Sequence, residues 1–144
     1  MAYLDSSALV KRYLAESDSD QFTYVWELPQ THSISVVGYA EVMAAFGRRR
    51  REGTVPEETY RILTSSFKED WQSLNVLAIS AHLNDIVERL TYRYPLRGFD
   101  SIHLASAIEL RNILGEEVEF VSADDRLRLA AREEQFSVFP QVQP

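Results

Sequence analysis

The chain has 144 residues, 45% of them hydrophobic, which suits one domain with a sizeable core and leaves too little for a second. A net charge of −7 argues against a broad electrostatic footprint for nucleic acid, so any such ligand has to be held locally, and Arg48-Arg49-Arg50-Arg51 concentrates positive charge in one place. The lack of cysteine excludes disulfides and thiolate metal sites. With no apolar run near membrane-span length and no charged start leading into one, we expect a soluble, cytoplasmic protein without membrane contact.

No repeat, low-complexity tract or Pro/Gly-rich linker divides the chain, so residues 1–144 read as a single domain. In chain order, a short apolar strand at Ala2–Leu4 precedes helical patterns over 6–14 and 18–28. A strand at Ser33–Ser35 leads into helices over 36–51 and 56–72, with Gly53 as a helix stop and Pro56 as a start. A third strand, Val76–Ile79, precedes helices over 80–93 and 99–114, where Ser80 suits a cap and Gly115 a stop. Glu119–Ser122 reads as the fourth strand, 124–134 as the last helix, and Ser137–Phe139 as a weak fifth strand. Alternation of this kind implies an α/β fold, a central parallel sheet of four to five strands covered by helices on both faces.

Four acids stand in unusually apolar settings. Asp5 follows the first strand directly; it suits a helix N-cap, and it also suits the carboxyl end of a buried strand, where open α/β sheets place their ligands. Glu41 shares helical spacing with Val37, Ala44 and Ala45, so it either reaches water from the edge of that stripe or needs a partner. Asp100 begins a pattern through His103, Leu104, Ala107 and Ile108, which turns it toward the sheet unless it serves as a cap. With no second histidine at ligand spacing, His103 reads as a packing or hydrogen-bonding residue. After the fourth strand, one of Asp124 and Asp125 suits a cap for the helix of Leu127, Ala130 and Ala131, which leaves the other spare.

Taken together, the four positions place acids at strand ends and on inward helix faces that can converge on one crevice. Two carboxylates 4 Å apart repel by about 4 kcal/mol at an effective dielectric near 20. Such a group therefore needs raised pKa values or a divalent cation at its centre. Oxygen donors without cysteine or paired histidine favour Mg²⁺ or Mn²⁺ over zinc, and such ions support phosphodiester hydrolysis.

Four ordered blocks carry a family likeness: Tyr3-Leu4-Asp5-Ser6-Ser7-Ala8-Leu9-Val10-Lys11, Tyr39-Ala40-Glu41-Val42, Phe99-Asp100-Ser101-Ile102-His103-Leu104-Ala105 and Phe120-Val121-Ser122-Ala123-Asp124. In this order they resemble PIN-domain ribonucleases, specifically VapC-type toxins, over essentially the whole chain. The resemblance implies a PIN fold and a Mg²⁺- or Mn²⁺-dependent endoribonuclease with Asp5, Glu41, Asp100 and Asp124 as its acidic quartet, catalytic and metal-holding. It also implies supporting hydroxyls, which Ser7 and Ser122 supply. The spacing from Ser122 and to Leu127 favours Asp124 over Asp125, which is left as a cap or outer-sphere group.

The implied reaction is in-line attack of an ion-activated water on an RNA phosphodiester, leaving 5′-phosphate and 3′-hydroxyl ends. Arg48 lies two turns beyond Glu41, so it, Arg49 and Arg50 are candidate phosphate contacts, although a basic run also suits the C-terminal end of a helix. The resemblance further implies a VapB-type antitoxin that puts a basic side chain among the carboxylates, and a homodimer. Tyr24, Trp26, Tyr60 and Trp71 suit either interface or the core. The alternative is a non-catalytic PIN-like module that binds RNA or protein.

Overall fold

The computed structural model of the chain describes residues 1–142. Five strands, β1 (Ala2–Leu4), β2 (His32–Ser35), β3 (Asn75–Leu77), β4 (Glu119–Val121) and β5 (Ser137–Phe139), form one sheet in the order β3-β2-β1-β4-β5. Every neighbouring pair is parallel. Seven α-helices complete the domain: α1 (Ser6–Val10), α2 (Ser19–Glu27), α3 (Val37–Arg51), α4 (Glu57–Trp71), α5 (Asn84–Arg93), α6 (Gly98–Leu114) and α7 (Asp125–Glu133). A 3₁₀ turn at Ala81–Leu83 leads into α5. The expected α/β architecture, a central parallel sheet of four to five strands, is observed with five among the described residues.

Strand alternation assigns the two faces. Tyr3 and Phe120 project into a core with Leu90 of α5, Leu104 and Ile108 of α6 and Leu127 of α7. Ala2, Leu4 and Val121 point the opposite way, against Phe22 and Val25 of α2. On that second face Ile34 joins Leu9, Val42, Phe46 and Phe67 from α1, α3 and α4. A strand buried on both faces has no polar side to show, and for that reason β1 reads as an unbroken apolar run, while β4 is apolar at Phe120 and Val121 after Glu119 at its start.

Three local expectations differ from the structure. The first helix ends at Val10 instead of continuing to 14: the N–H groups of Arg12 and Tyr13 bond the carbonyls three residues back, at 3.1 and 3.0 Å. Tertiary partners explain the tightening. Lys11 bonds Asp18 at 2.7 Å, and Arg12 and Tyr13 both reach Asp70, at 3.1 and 2.7 Å. Second, the buried stripe of α3 is Gly38, Val42 and Phe46, not the Val37, Ala44 and Ala45 stripe, and Glu41 stands at its border. Third, Ser80 makes no side-chain cap, and Pro56 occupies the cap position of α4 instead of its first turn.

Gly38 marks where α3 comes closest to the sheet. A Cβ there would lie 2.5 Å from Ile34 Cδ1 and 2.9 Å from its Cγ1. The missing side chain lets α3 settle onto β2, one turn before Glu41. Of the aromatics considered for interfaces, Trp26, Tyr60 and Trp71 pack partly against the core, while Tyr24 is 59% exposed.

Candidate functional site

The strand order reverses at β1. From there the chain builds β2 and β3 on one side, then returns to add β4 and β5 on the other. Open α/β sheets bind their ligands beyond the carboxyl ends of strands at such a switch point. Here Leu4 pairs with Val121, so the residues that follow, Asp5 and Ser122, leave the sheet side by side.

Asp5 is 3% exposed and serves as the N-cap of α1, accepting the Ala8 N–H at 3.0 Å. Ser7 donates to the same carboxylate at 2.7 Å and Ser122 at 2.9 Å. Each hydroxyl accepts a backbone N–H in turn, Ser7 from Ala123 at 2.9 Å and Ser122 from Asp124 at 3.0 Å. The two serines therefore tie the turn after β4 to the carboxylate after β1. Burial pushes the Asp5 carboxyl above its ordinary pKa, and the hydrogen bonds from Ser7, Ala8 and Ser122 act against that rise without cancelling it.

Glu41 arrives from α3 and is partly exposed; its Oε1 lies 2.6 Å from His103 Nε2. His103 is thus the hydrogen-bonding histidine expected from the sequence, 1% exposed in α6. Asp100, in the first turn of α6, accepts the Arg97 N–H at 3.2 Å. Its pKa is raised, first by burial and further by the charge of Asp124, while the Arg97 N–H bond opposes the rise. Asp124 caps α7, accepting the N–H groups of Arg126 at 2.9 Å and Leu127 at 3.2 Å. Asp125 faces solvent and pairs with Arg128. Of the two adjacent acids, Asp124 is therefore the cap and also the one that lines the cleft.

Two clefts meet at Glu41. One is lined by Ser7, Lys11, Glu16, Arg48 and Asp124, the other by Arg97, Phe99, Asp100 and Ile102. Among the described residues, none of the four acids forms an ion pair with lysine or arginine. Arg48 and Arg97 line the clefts without pairing with these acids, and other nearby cations are engaged elsewhere. Lys11 pairs with Glu16 and Asp18, Arg49 with Glu16 at 3.3 Å, and Arg50 with Glu57. Of the three arginines considered for phosphate contact, Arg48 alone lines the cleft; Arg49 is paired with Glu16 at its edge, and Arg50 with Glu57.

Among the described residues, no three acid or histidine side chains are gathered tightly enough to hold a metal ion as they stand. The reason is local: Glu41 is turned to His103, Asp100 to the start of α6, Asp124 to the start of α7, and Asp5 to its two serines. The donor chemistry nevertheless fits a hard divalent cation. All four are carboxylates, and burial disfavours the ionised forms of Asp5 and Asp100, a cost that a cation offsets.

Sequence reasoning did not find the bond between Tyr3 and His103, 2.9 Å from Oη to Nδ1. A signal was present: a tyrosine in a strand buried on both faces requires a partner for its hydroxyl. The Lys11, Glu16, Asp18 and Arg49 network was also missed, because it depends on the loop that replaces the end of the first helix.

No model of a known protein family matches the chain. Over 108 residues, 75% of this chain and 75% of the relative, it is 27% identical to a Mycobacterium tuberculosis protein named Ribonuclease VapC45. Among solved structures, a toxin–antitoxin complex from Klebsiella pneumoniae is similar with a TM-score of 0.62, at 19% identity, over 86% of this chain and 87% of that one. FitAcB from Neisseria gonorrhoeae is similar with a TM-score of 0.72, at 12% identity, over 96% of both chains. At these identities the two structures speak for the fold alone. No helix among the described residues is long and apolar enough to cross a membrane.

Proposed function

We propose that this chain, a VapC-type PIN-domain protein by the likeness of its sequence and fold, is a ribonuclease toxin that cuts RNA with Mg²⁺ or Mn²⁺ held by Asp5, Glu41, Asp100 and Asp124. One observation carries the reading: four carboxylates approach the switch point of the sheet from two strand ends and two helices, and among the described residues none of them forms an ion pair with lysine or arginine. A bound divalent ion supplies the missing positive charge, lowers the pKa of a water and offsets charge developing on the phosphate.

The chain's own residues supply the setting. Ser7 and Ser122 hold Asp5 rigidly by donating to it, so its carboxylate keeps one orientation. His103 holds one oxygen of Glu41. Asp100 and Asp124 are each fixed by backbone N–H groups at a helix start, which orients their carboxyls without neutralising them. Arg48, at the rim, meets a phosphate flanking the bond to be cut. A VapB-type antitoxin restrains the activity by placing a basic side chain among the same acids, and the working form is a homodimer.

The test is cleavage of a single-stranded RNA by antitoxin-free protein with Mg²⁺, with Mn²⁺ and with EDTA. Cuts that require the metal support the reading. A second reading, a non-catalytic module that binds RNA or protein, has one observation in its favour: every acid of the quartet already has a hydrogen-bond partner within the protein. RNA binding without turnover under any metal would select it.

A further inference from the structure

A chain of hydrogen bonds runs from the sheet to Glu41. The Ser35 N–H donates to the Tyr3 hydroxyl at 3.1 Å, that hydroxyl lies 2.9 Å from His103 Nδ1, and His103 Nε2 lies 2.6 Å from Glu41 Oε1. Tyr3 is fully buried and His103 is 1% exposed, so water does not satisfy these groups. Packing fixes the rings. Tyr3 stacks on Phe120 with centroids 5.5 Å apart and meets the imidazole edge-on at 6.0 Å.

Donor and acceptor arithmetic sets the direction. A neutral imidazole has one N–H and one bare nitrogen. The Tyr3 oxygen already accepts from Ser35, and its own proton has His103 Nδ1 as acceptor. Nδ1 is then bare, and the proton of the ring sits on Nε2, aimed at the carboxylate. The opposite tautomer would set the bare nitrogen of a buried ring 2.6 Å from a carboxylate oxygen, two acceptors face to face with no proton between them.

We propose that His103 is a positioning residue for Glu41, locked as the Nε2–H tautomer by the Tyr3 hydroxyl so that it grips Oε1. Among the described residues Oε2 receives no hydrogen bond, and it is the oxygen left to face an ion or a water in the cleft. The proposal rests on the reading of Glu41 as part of an acidic metal site. Outer-sphere partners of this kind change metal affinity or activity by about 10- to 100-fold when removed.

Long-range ¹H–¹⁵N NMR of the full, metal-free chain reads the tautomer directly and needs no variant. The expected result is a protonated Nε2 and a bare Nδ1, with Tyr3→Phe mixing the two tautomers. A ring protonated on Nδ1, alone or together with Nε2, would overturn the assignment. Mn²⁺ affinity followed by EPR gives the second measurement. His103→Leu is expected to weaken binding about 10- to 100-fold, and His103→Gln, whose amide N–H still donates toward Glu41, recovers most of it. Equal affinities for Leu, Gln and wild type would refute the positioning role. RNA cleavage is assayed separately on the same proteins. An inert wild type with the expected tautomer and graded Mn²⁺ affinities removes the nuclease reading and leaves the positioning role standing, whereas an active wild type with ungraded affinities does the reverse.

Discussion

Asp124 is asked to do two things, to cap α7 and to contribute charge to the acidic site, and substitutions can separate them. Its Oδ1 accepts two N–H groups, those of Arg126 at 2.9 Å and Leu127 at 3.2 Å. Asp124→Ala leaves both donors without that partner at a half-buried helix start, and loss of such a cap costs about 0.5–2 kcal/mol, typically ~1. For a chain of this size, ~1 kcal/mol corresponds to a fall in Tm of about 2–4 °C. Asp124→Asn keeps an oxygen for the cap and removes the charge, so its Tm stays near wild type while metal-dependent cleavage is lost. Asp125 is the internal control. Its side chain is 86% exposed, while its partner Arg128 is 12% exposed and keeps a second bond to the Ser122 carbonyl, so Asp125→Ala leaves cleavage intact and costs no more than ~1 kcal/mol. Thermal unfolding and RNA cleavage on the three variants give the answer. Full cleavage by Asp124→Asn, or a wild-type Tm for Asp124→Ala, would refute one half of the reasoning, and a dead Asp125→Ala would transfer the role to its neighbour.

Further predictions concern pH, binding and the core. The folded pKa values of Asp5 and Asp100 lie above the ordinary 3.8, so the folded state binds more protons in that window than the unfolded one. Their contribution to stability therefore falls as pH rises from about 3.8 through the raised folded values, and the full penalty persists above them. Urea denaturation of metal-free wild type and Asp5→Asn should show the variant gaining relative stability with rising pH, and a constant difference would contradict this. Arg48→Ala is expected to reduce the salt slope of single-stranded RNA binding by about 0.7. Arg50→Ala, whose side chain is already paired with Glu57, should change that slope less, and the reverse ranking would displace Arg48 from the proposed phosphate path. Phe67 is fully buried, with aromatic contacts to Tyr13, Tyr39, Phe46 and Trp71, so Phe67→Ala should cost about 3–5 kcal/mol in chemical denaturation.

The sheet was legible because parallel strands buried on both faces leave short apolar runs, and Ala2–Leu4 and Phe120–Val121 are two of them. The helix of His103, Leu104, Ala107 and Ile108 was equally plain, since all four residues are buried. What sequence could not supply was the pairing between distant elements. That Lys11, Arg12 and Tyr13 leave the helix is decided by Asp18 and Asp70, which lie 7 and 57–58 positions away. The exact buried face of α3 depends on the approach that Gly38 permits, which shifts the inward stripe to Val42 and Phe46. The acids were visible one at a time as caps or as buried charges. Asp5 and Asp124 show that the two descriptions are compatible, since each caps a helix while its carboxylate stands at the switch point. The partner of Glu41 was hidden 62 residues along the chain, in a histidine whose other nitrogen bonds a tyrosine of the first strand.

If the acids at the switch point make this chain a metal-dependent ribonuclease, Asp100→Asn abolishes the activity. The substitution keeps an oxygen for the Arg97 N–H, so the start of α6 is preserved and charge is what changes. Total cellular RNA is treated with antitoxin-free wild type or variant in Mg²⁺, Mn²⁺ or EDTA, and the new ends are mapped by sequencing. The expected result is discrete cuts that need metal and vanish in Asp100→Asn. Cleavage that persists in the variant, or a folded, partner-free wild type that cuts nothing under either metal, would contradict it.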